Sequence, residues 1–560
     1  MSRLRWLTLL SVLALVSAAC GTTAETTTTT AAPSTTTTAA PTTTAGPEFE
    51  GQILAAESCD YGGKISSIEA TGPLEVVFTL CTPYPAFPQV VAFTSFGIQP
   101  AEHLEATSGR PLDNPIGTGP FKLDTWSRGE QIIFSANDDY WGEKPAFGQL
   151  VFRWAPESAA RLLELQSGNV DWVTNLAAND MPTVQADSNL TLLVNTNPNV
   201  FYLGMNSSFA PFDDVNVRRA IAMGIDRQAI VDNFYADGAE VAGHFTPCTI
   251  ENGCQGDDWY SFDQDAANQL LTDAGANGFD VTIYYRNVFR VYLPEPAAVA
   301  QAIAEQLNEN LGINASVQEV ESAEFSAAVS ASDTYSMFLY GWGGDYPHIT
   351  NFLDFHFTED NNNYGPTHPE IFEPIAQASS IADPAEAAPL YEAANNAIRD
   401  LVPVIPIAHG SAADAALATV GGAQLPFFGA PQFEKLTPAN DTLVFMQNAE
   451  PISLYCADES DGESLSACQQ TTEPLLGYDL DGNVIPKLAT ECVANEDSTV
   501  WTCTLREGVK FHDGSDFDAN DVVVNYRAWL DAIDPLHNGN TGLFEYPAYL
   551  WGGLLHAPES

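Results

Sequence analysis

Residues 21–46 are almost entirely Thr, Ala and Pro, and no other feature limits the fold so strongly. A segment of this composition has nothing to bury and cannot offset the entropy of ordering, so it reads as a tether. Whatever folds must come from residues 47 onward, a length that exceeds one simple core and suits two large lobes. With 45% hydrophobic and 11% aromatic residues, the chain has the material to fill them.

Ahead of the tether, Arg3 and Arg5 precede an apolar run over residues 6–16, and Ser17, Ala18 and Ala19 then lead to Cys20. This reads as an export signal. It is too short for a membrane span, which takes roughly 20 apolar residues, and no later segment approaches that length. Small residues directly before a Cys resemble a bacterial lipobox, which implies removal of residues 1–19 and lipidation of Cys20. Ordinary cleavage is the alternative, but it would leave a lone thiol outside the cell. The expected place is the outer face of the cytoplasmic membrane or the periplasm, with the tether at 20–46 holding the folded part away.

There are 73 Asp and Glu against 20 Lys and Arg, a net charge of −53, yet only 17% of residues are charged. The imbalance is a shortage of bases. Such a surface repels nucleic acid and anionic lipid, so neither is a partner, and any membrane contact is through the lipid alone. It also suits a salty medium, where screening shortens self-repulsion.

Eight further cysteines fall into neighbouring sets: Cys59 with Cys81, Cys248 with Cys254, Cys456 with Cys468, and Cys492 with Cys503. An even number in an exported chain suggests disulfides. Spacing leaves the connectivity open, with local closures the most economical. A metal site is the rival reading, but no CxxC pair with partnered histidines is present, so no metal and no cofactor is expected.

Alternation at 74–80 and 131–134 predicts strands, and helical spacing at 214–231 and 296–311 predicts helices. A helix is expected from Asp263 to a stop at Gly275, followed by a strand at 280–285. The class is therefore α/β, and this βα alternation favours doubly wound lobes with ligand sites at their edges.

Several phrases carry a resemblance: Pro115-Ile116-Gly117-Thr118-Gly119-Pro120-Phe121, Ser167-Gly168-Asn169-Val170-Asp171, and Gly224-Ile225-Asp226-Arg227. So do Gly341-Trp342-Gly343-Gly344-Asp345-Tyr346-Pro347 and Gly508-Val509-Lys510-Phe511-His512-Asp513-Gly514. Together they resemble the family 5 extracellular solute-binding proteins of ABC transporters, of the peptide- and nickel-binding type. In that family the Phe-His-Asp-Gly phrase comes first, whereas here it comes last. Each phrase occurs once, so the simplest reading is a circular permutation, bridged near residues 436–441, with a fragment of a tandem repeat as the alternative.

The resemblance implies the two-lobe, type II periplasmic-binding-protein fold, with a cleft between lobes. The expected first lobe takes residues 47–257 and 413–560, and the second takes 258–412. By the same resemblance Asp345 receives a peptide's ammonium and Arg290 its terminal carboxylate. A turn or cap role is the plainer reading of Asp345, and a structural ion pair that of Arg290. Trp342, Tyr340 and Tyr364 are expected to line a side-chain pocket.

Gly117 to Pro120 lacks the spacing and Lys of a P-loop, so it reads as a tight structural turn, and His512-Asp513 has no accompanying nucleophile. The acidic stretches at 458–461 and 479–483 lack the closing Glu of a calcium loop and read as hairpin turns. The implied activity is not catalysis but capture of a short peptide by lobe closure, for an ABC permease and its ATPase, by a monomer. A non-peptide solute such as a nickel complex or sugar, or a non-transport receptor, are the alternatives. An exported hydrolase is disfavoured because the nine histidines form no HExxH spacing.

Overall fold

Strands form where the sequence alternates: Val76, Phe78 and Leu80 are buried in the strand Glu75–Leu80, and the residues between them are not. In the computed structural model of the protein, residues 49–195 and 197–557 are described. The signal, Cys20 and tether expected from the sequence lie outside them. Among the described residues, no helix is long and apolar enough to cross a membrane.

Three large sheets organise the described chain. In the five-stranded sheet, Val500–Leu505 lies antiparallel to Glu75–Leu80, with Trp501 opposite Phe78. In the seven-stranded sheet, Thr442–Gln447 runs parallel between Gln149–Trp154 and Trp172–Val173. Strands late in the chain thus complete sheets begun by early ones. The third sheet has six strands, in the order Glu240–Val241, Val404–His409, Asn199–Met205, Met337–Gly343, Asp280–Tyr285, Asn314–Glu319.

The third sheet departs from the doubly wound expectation. Asp280–Tyr285 is parallel to both of its neighbours, but Asn199–Met205 is antiparallel to Met337–Gly343 and to Val404–His409, so the sheet is mixed. Asn199–Met205 is buried at all seven positions, as a central strand covered on both faces must be. One hydrophobic core gathers residues from Val200 to Ala408. Residues within 200–257, expected in the first lobe, contribute to this same core, because the middle strand of its sheet, Asn199–Met205, comes from the start of that stretch.

The helix expected over 214–231 is two helices. Val215–Gly224 is capped by Asp214, Ile225 is extended, and Asp226 caps Arg227–Phe234 by accepting from the Ala229 N–H at 3.0 Å. Helix Gln264–Asp273 follows its prediction, with Asp263 as cap and Gly275 at φ +67°, as does Pro296–Leu311.

The eight cysteines pair with their neighbours: Cys59–Cys81, Cys248–Cys254, Cys456–Cys468 and Cys492–Cys503. Asp479 does sit in a hairpin turn, accepting from the N–H groups of Asp481 and Asn483. The other acidic stretch does not. Asp458 accepts from the Thr541 hydroxyl and the Phe544 N–H, at 2.6 and 3.1 Å, and anchors a distant loop, while Asp461 caps helix Gly462–Cys468.

Gly117 and Gly119 are needed for close approach rather than for an unusual φ: a Cβ at either would fall 2.1 and 2.6 Å from the carbonyl oxygens of Thr471 and Gln470. His512 ties this loop down, its Nε2 lying 2.9 Å from the Gly119 carbonyl and its own N–H donating to Gly117. Burial pushes the imidazole down to about 4, so it is neutral near pH 7, and its place is structural.

Candidate ligand-binding cleft

Strand Met337–Gly343 runs through the middle of the six-stranded sheet and ends at the cleft. Alternation puts Tyr340 and Trp342 on one face. Gly341 lies between them, where a Cβ would sit 2.3 Å from the Tyr292 ring and 2.6 Å from the Val200 carbonyl oxygen. Only glycine lets the strand pass that close. Just beyond it the cleft opens to about 640 Å³, lined by Arg286, Arg290, Tyr292, Tyr340, Trp342, Asp345 and Phe355, with Glu545, Tyr546 and Tyr549 contributed from near the end of the chain.

Asp345 is half-buried at this opening. Its backbone N–H donates to the Asn351 side-chain oxygen at 2.9 Å, and the Asn351 amide donates back to Asp345 Oδ2 at 3.0 Å. Asn351 also accepts from Trp342 Nε1 at 3.1 Å, so one buried amide orients both expected ligand contacts. Burial raises the Asp345 carboxyl to about 6; hydrogen bonds from Asn351 and the Tyr546 hydroxyl hold it from rising further, and the charge of Glu545 adds to the rise. Trp342 stacks on Phe355 at 3.9 Å between ring centroids, a stiff aromatic wall beside the acid.

Arg286 lies over the Tyr340 ring, 5.1 Å from its centroid, and its long contacts, at 3.4 Å, are with the hydroxyls of Ser322, Ser326 and Tyr292. Arg290 is exposed and donates to the neighbouring Phe289 carbonyl. Among the described residues no ion pair engages Arg286, Arg290, Asp345 or Glu545. The ion-pair alternative for Arg290 is therefore not what the structure has. The cleft thus holds charges of both signs that are not paired with one another among the described residues.

Four of the five expected contacts, Asp345, Arg290, Trp342 and Tyr340, meet in this cleft. Tyr364 does not. Its hydroxyl bonds to that of Tyr202 at 2.9 Å and its ring stacks on Phe338, so it is a core residue with its polar tip satisfied internally. Sequence reasoning missed Glu545, Tyr546 and Tyr549. The aromatic run Phe544-Glu545-Tyr546-Pro547-Ala548-Tyr549 was the available signal, but its proximity to Asp345 depends on tertiary packing.

The family described as bacterial extracellular solute-binding proteins, family 5 Middle, matches residues 24–364 and 483–543. The chain belongs to that family. Family 5 relatives include a di/tripeptide-binding protein 3 of Pseudomonas aeruginosa (strain UCBPP-PA14), 30% identical over 358 residues, covering 62% of this chain and 67% of the relative. The dipeptide-binding protein of Escherichia coli (strain K12) is 28% identical over 384 residues, covering 67% and 71%. Among solved structures, the dipeptide-binding protein from Pseudoalteromonas sp. SM9913 in complex with Met-Leu superposes with a TM-score of 0.58 at 25% identity, covering 68% of this chain and 76% of that one. The fold is thus the two-lobe, mixed α/β binding-protein fold of family 5, a family of substrate-binding proteins and not enzymes.

Proposed function

We propose that the protein is the substrate-binding component of an ABC importer and captures a short peptide in the cleft by lobe closure. The observation that carries this reading is Asp345, an oriented carboxylate that has no ion-pair partner among the described residues and faces a space that also holds Arg286 and Arg290, likewise without an ion pair among them. A carboxylate destabilised by burial in such a place gains from an incoming ammonium, which stabilises its charged form and satisfies its remaining lone pairs. Arg290 and Arg286 supply planar forks for the ligand's carboxylate. The aromatic walls accept side chains with little chemical selection. Relatives named for dipeptides and di/tripeptides support the same reading.

The protein is placed outside the cytoplasmic membrane, held by lipid at Cys20 through the 20–46 tether, acting as a monomer with a permease and its ATPase. The folded part is written in permuted order: residues 442–560 supply strands that such a chain would otherwise start with, and the pairing of Val500–Leu505 with Glu75–Leu80 supports this. The first lobe then comprises residues 49–195 and 413–557, and the second about 197–412.

Thermal melts with di- to pentapeptides test the binding reading. Free-amine peptides raise the melting temperature by mass action, and N-acetylated ones do not. Equal shifts with blocked peptides remove the role given to Asp345, and no shift with any peptide removes the peptide reading.

A further inference from the structure

Asp345 accounts for one ammonium, but the same end of the cleft carries a second carboxylate. Glu545 opens the short helix Glu545–Leu550, is exposed, and lines the cleft together with Asp345 and Tyr546. Tyr546, its chain neighbour, hydrogen-bonds Asp345, and the charge of Glu545 is felt at Asp345, Tyr340 and Tyr546. Among the described residues Glu545 has no ion-pair partner. A single ammonium on Asp345 leaves this second carboxylate without an ion pair of its own, and Arg290, whose charge also reaches Tyr546, is left for the ligand's carboxylate.

We propose that Glu545 makes the cleft select peptides whose first residue is a cation, Lys or Arg, with the side-chain charge received at Glu545 while the terminal ammonium sits on Asp345. The adjacency of the two acids assigns the cation to the first residue, since a long basic side chain starts from the carbon that bears the ammonium. Selection works in both directions: a basic first residue is attracted, and an acidic one meets two carboxylates of like sign. Arg286, over the Tyr340 ring, stays available for the ligand's own carboxylate. This inference rests on the peptide reading of the cleft and adds the side-chain class to it.

Calorimetric titrations of Lys-Ala, Arg-Ala, Ala-Ala and Glu-Ala at pH 7.5 and moderate salt test it. Because Glu545 is exposed and screened, Lys-Ala is expected to bind about fivefold tighter than Ala-Ala, with Glu-Ala weaker than both. In E545Q the Lys-Ala to Ala-Ala ratio falls to about one, and in E545K the order of Lys-Ala and Glu-Ala reverses. Melting temperatures of the unliganded variants check that both fold. Equal binding of Lys-Ala and Ala-Ala to the unmodified protein overturns the proposal. So does a ratio that E545Q leaves intact, including equal weakening of all four peptides, which would make Glu545 a lobe-closure contact with Arg286. Failure of every peptide to bind is a different result, one that removes the peptide reading itself.

Discussion

Binding of a peptide ammonium at Asp345 requires the carboxylate form, and burial has raised that group to about 6. Affinity therefore depends on pH in a range where the peptide's own charges do not change. At pH 7 almost all of the protein is ionised at this position and at pH 5 only about a tenth is, so the Kd rises about tenfold between the two. Near pH 5, calorimetry in two buffers of different ionisation enthalpy should report close to one proton released per peptide bound. D345N should weaken binding by 30-fold or more, from the roughly 2–5 kcal/mol attached to truncating a buried charge pair, and should flatten the pH profile. A Kd constant within twofold from pH 7 to 5 would refute the assignment. A profile that persists in D345N would move it to another acid, with Asp354, also raised to about 6 by burial, the first to test.

The same shift predicts a stability effect of opposite sign. A carboxyl whose folded-state pKa lies above its unfolded value stabilises the fold below the unfolded pKa, and that contribution is lost as pH rises through about 6. Unliganded D345N should thus be more stable to denaturant than the unmodified protein at pH 7.5, by up to about 2–3 kcal/mol, and match it near pH 3.5. H512A removes the clamp on Gly117 and Gly119 and should cost roughly 1–3 kcal/mol in denaturant titrations without changing peptide Kd. G341A places a methyl against Tyr292 and Val200, so both melting temperature and affinity should fall. Mild thiol treatment of the native protein should open Cys59–Cys81 and Cys248–Cys254 first, because Cys59 and Cys248 are exposed, while Cys456–Cys468, with both residues buried, resists until unfolding; mass spectrometry of alkylated peptides reads the order.

Local chemistry made much of this protein legible in its sequence. The helices at 264–273 and 296–311 and the strand at 280–285 follow from caps and periodicity, which act between residues close in the chain. The disulfide pairs are legible for the same reason, since each joins neighbours in order. Asp345, Trp342 and Tyr340 share one strand end and its following turn, so a single phrase carried the first two and Tyr340 stands directly before it.

What needed the tertiary structure depends on contacts far apart in the chain. The break at Ile225 came from a second cap at Asp226 inside a pattern that looked continuous. Residues within 200–257 join the second core because the sheet takes its middle strand from Asn199–Met205, which periodicity cannot assign to a partner. Tyr364 is an aromatic like Trp342, and only packing separates the one that meets Tyr202 from the one that meets the cleft. Glu545 and Tyr546 stand some 200 positions from Asp345 in the sequence and beside it in the fold, so the charge balance of the site is a property of chain folding and not of any one segment.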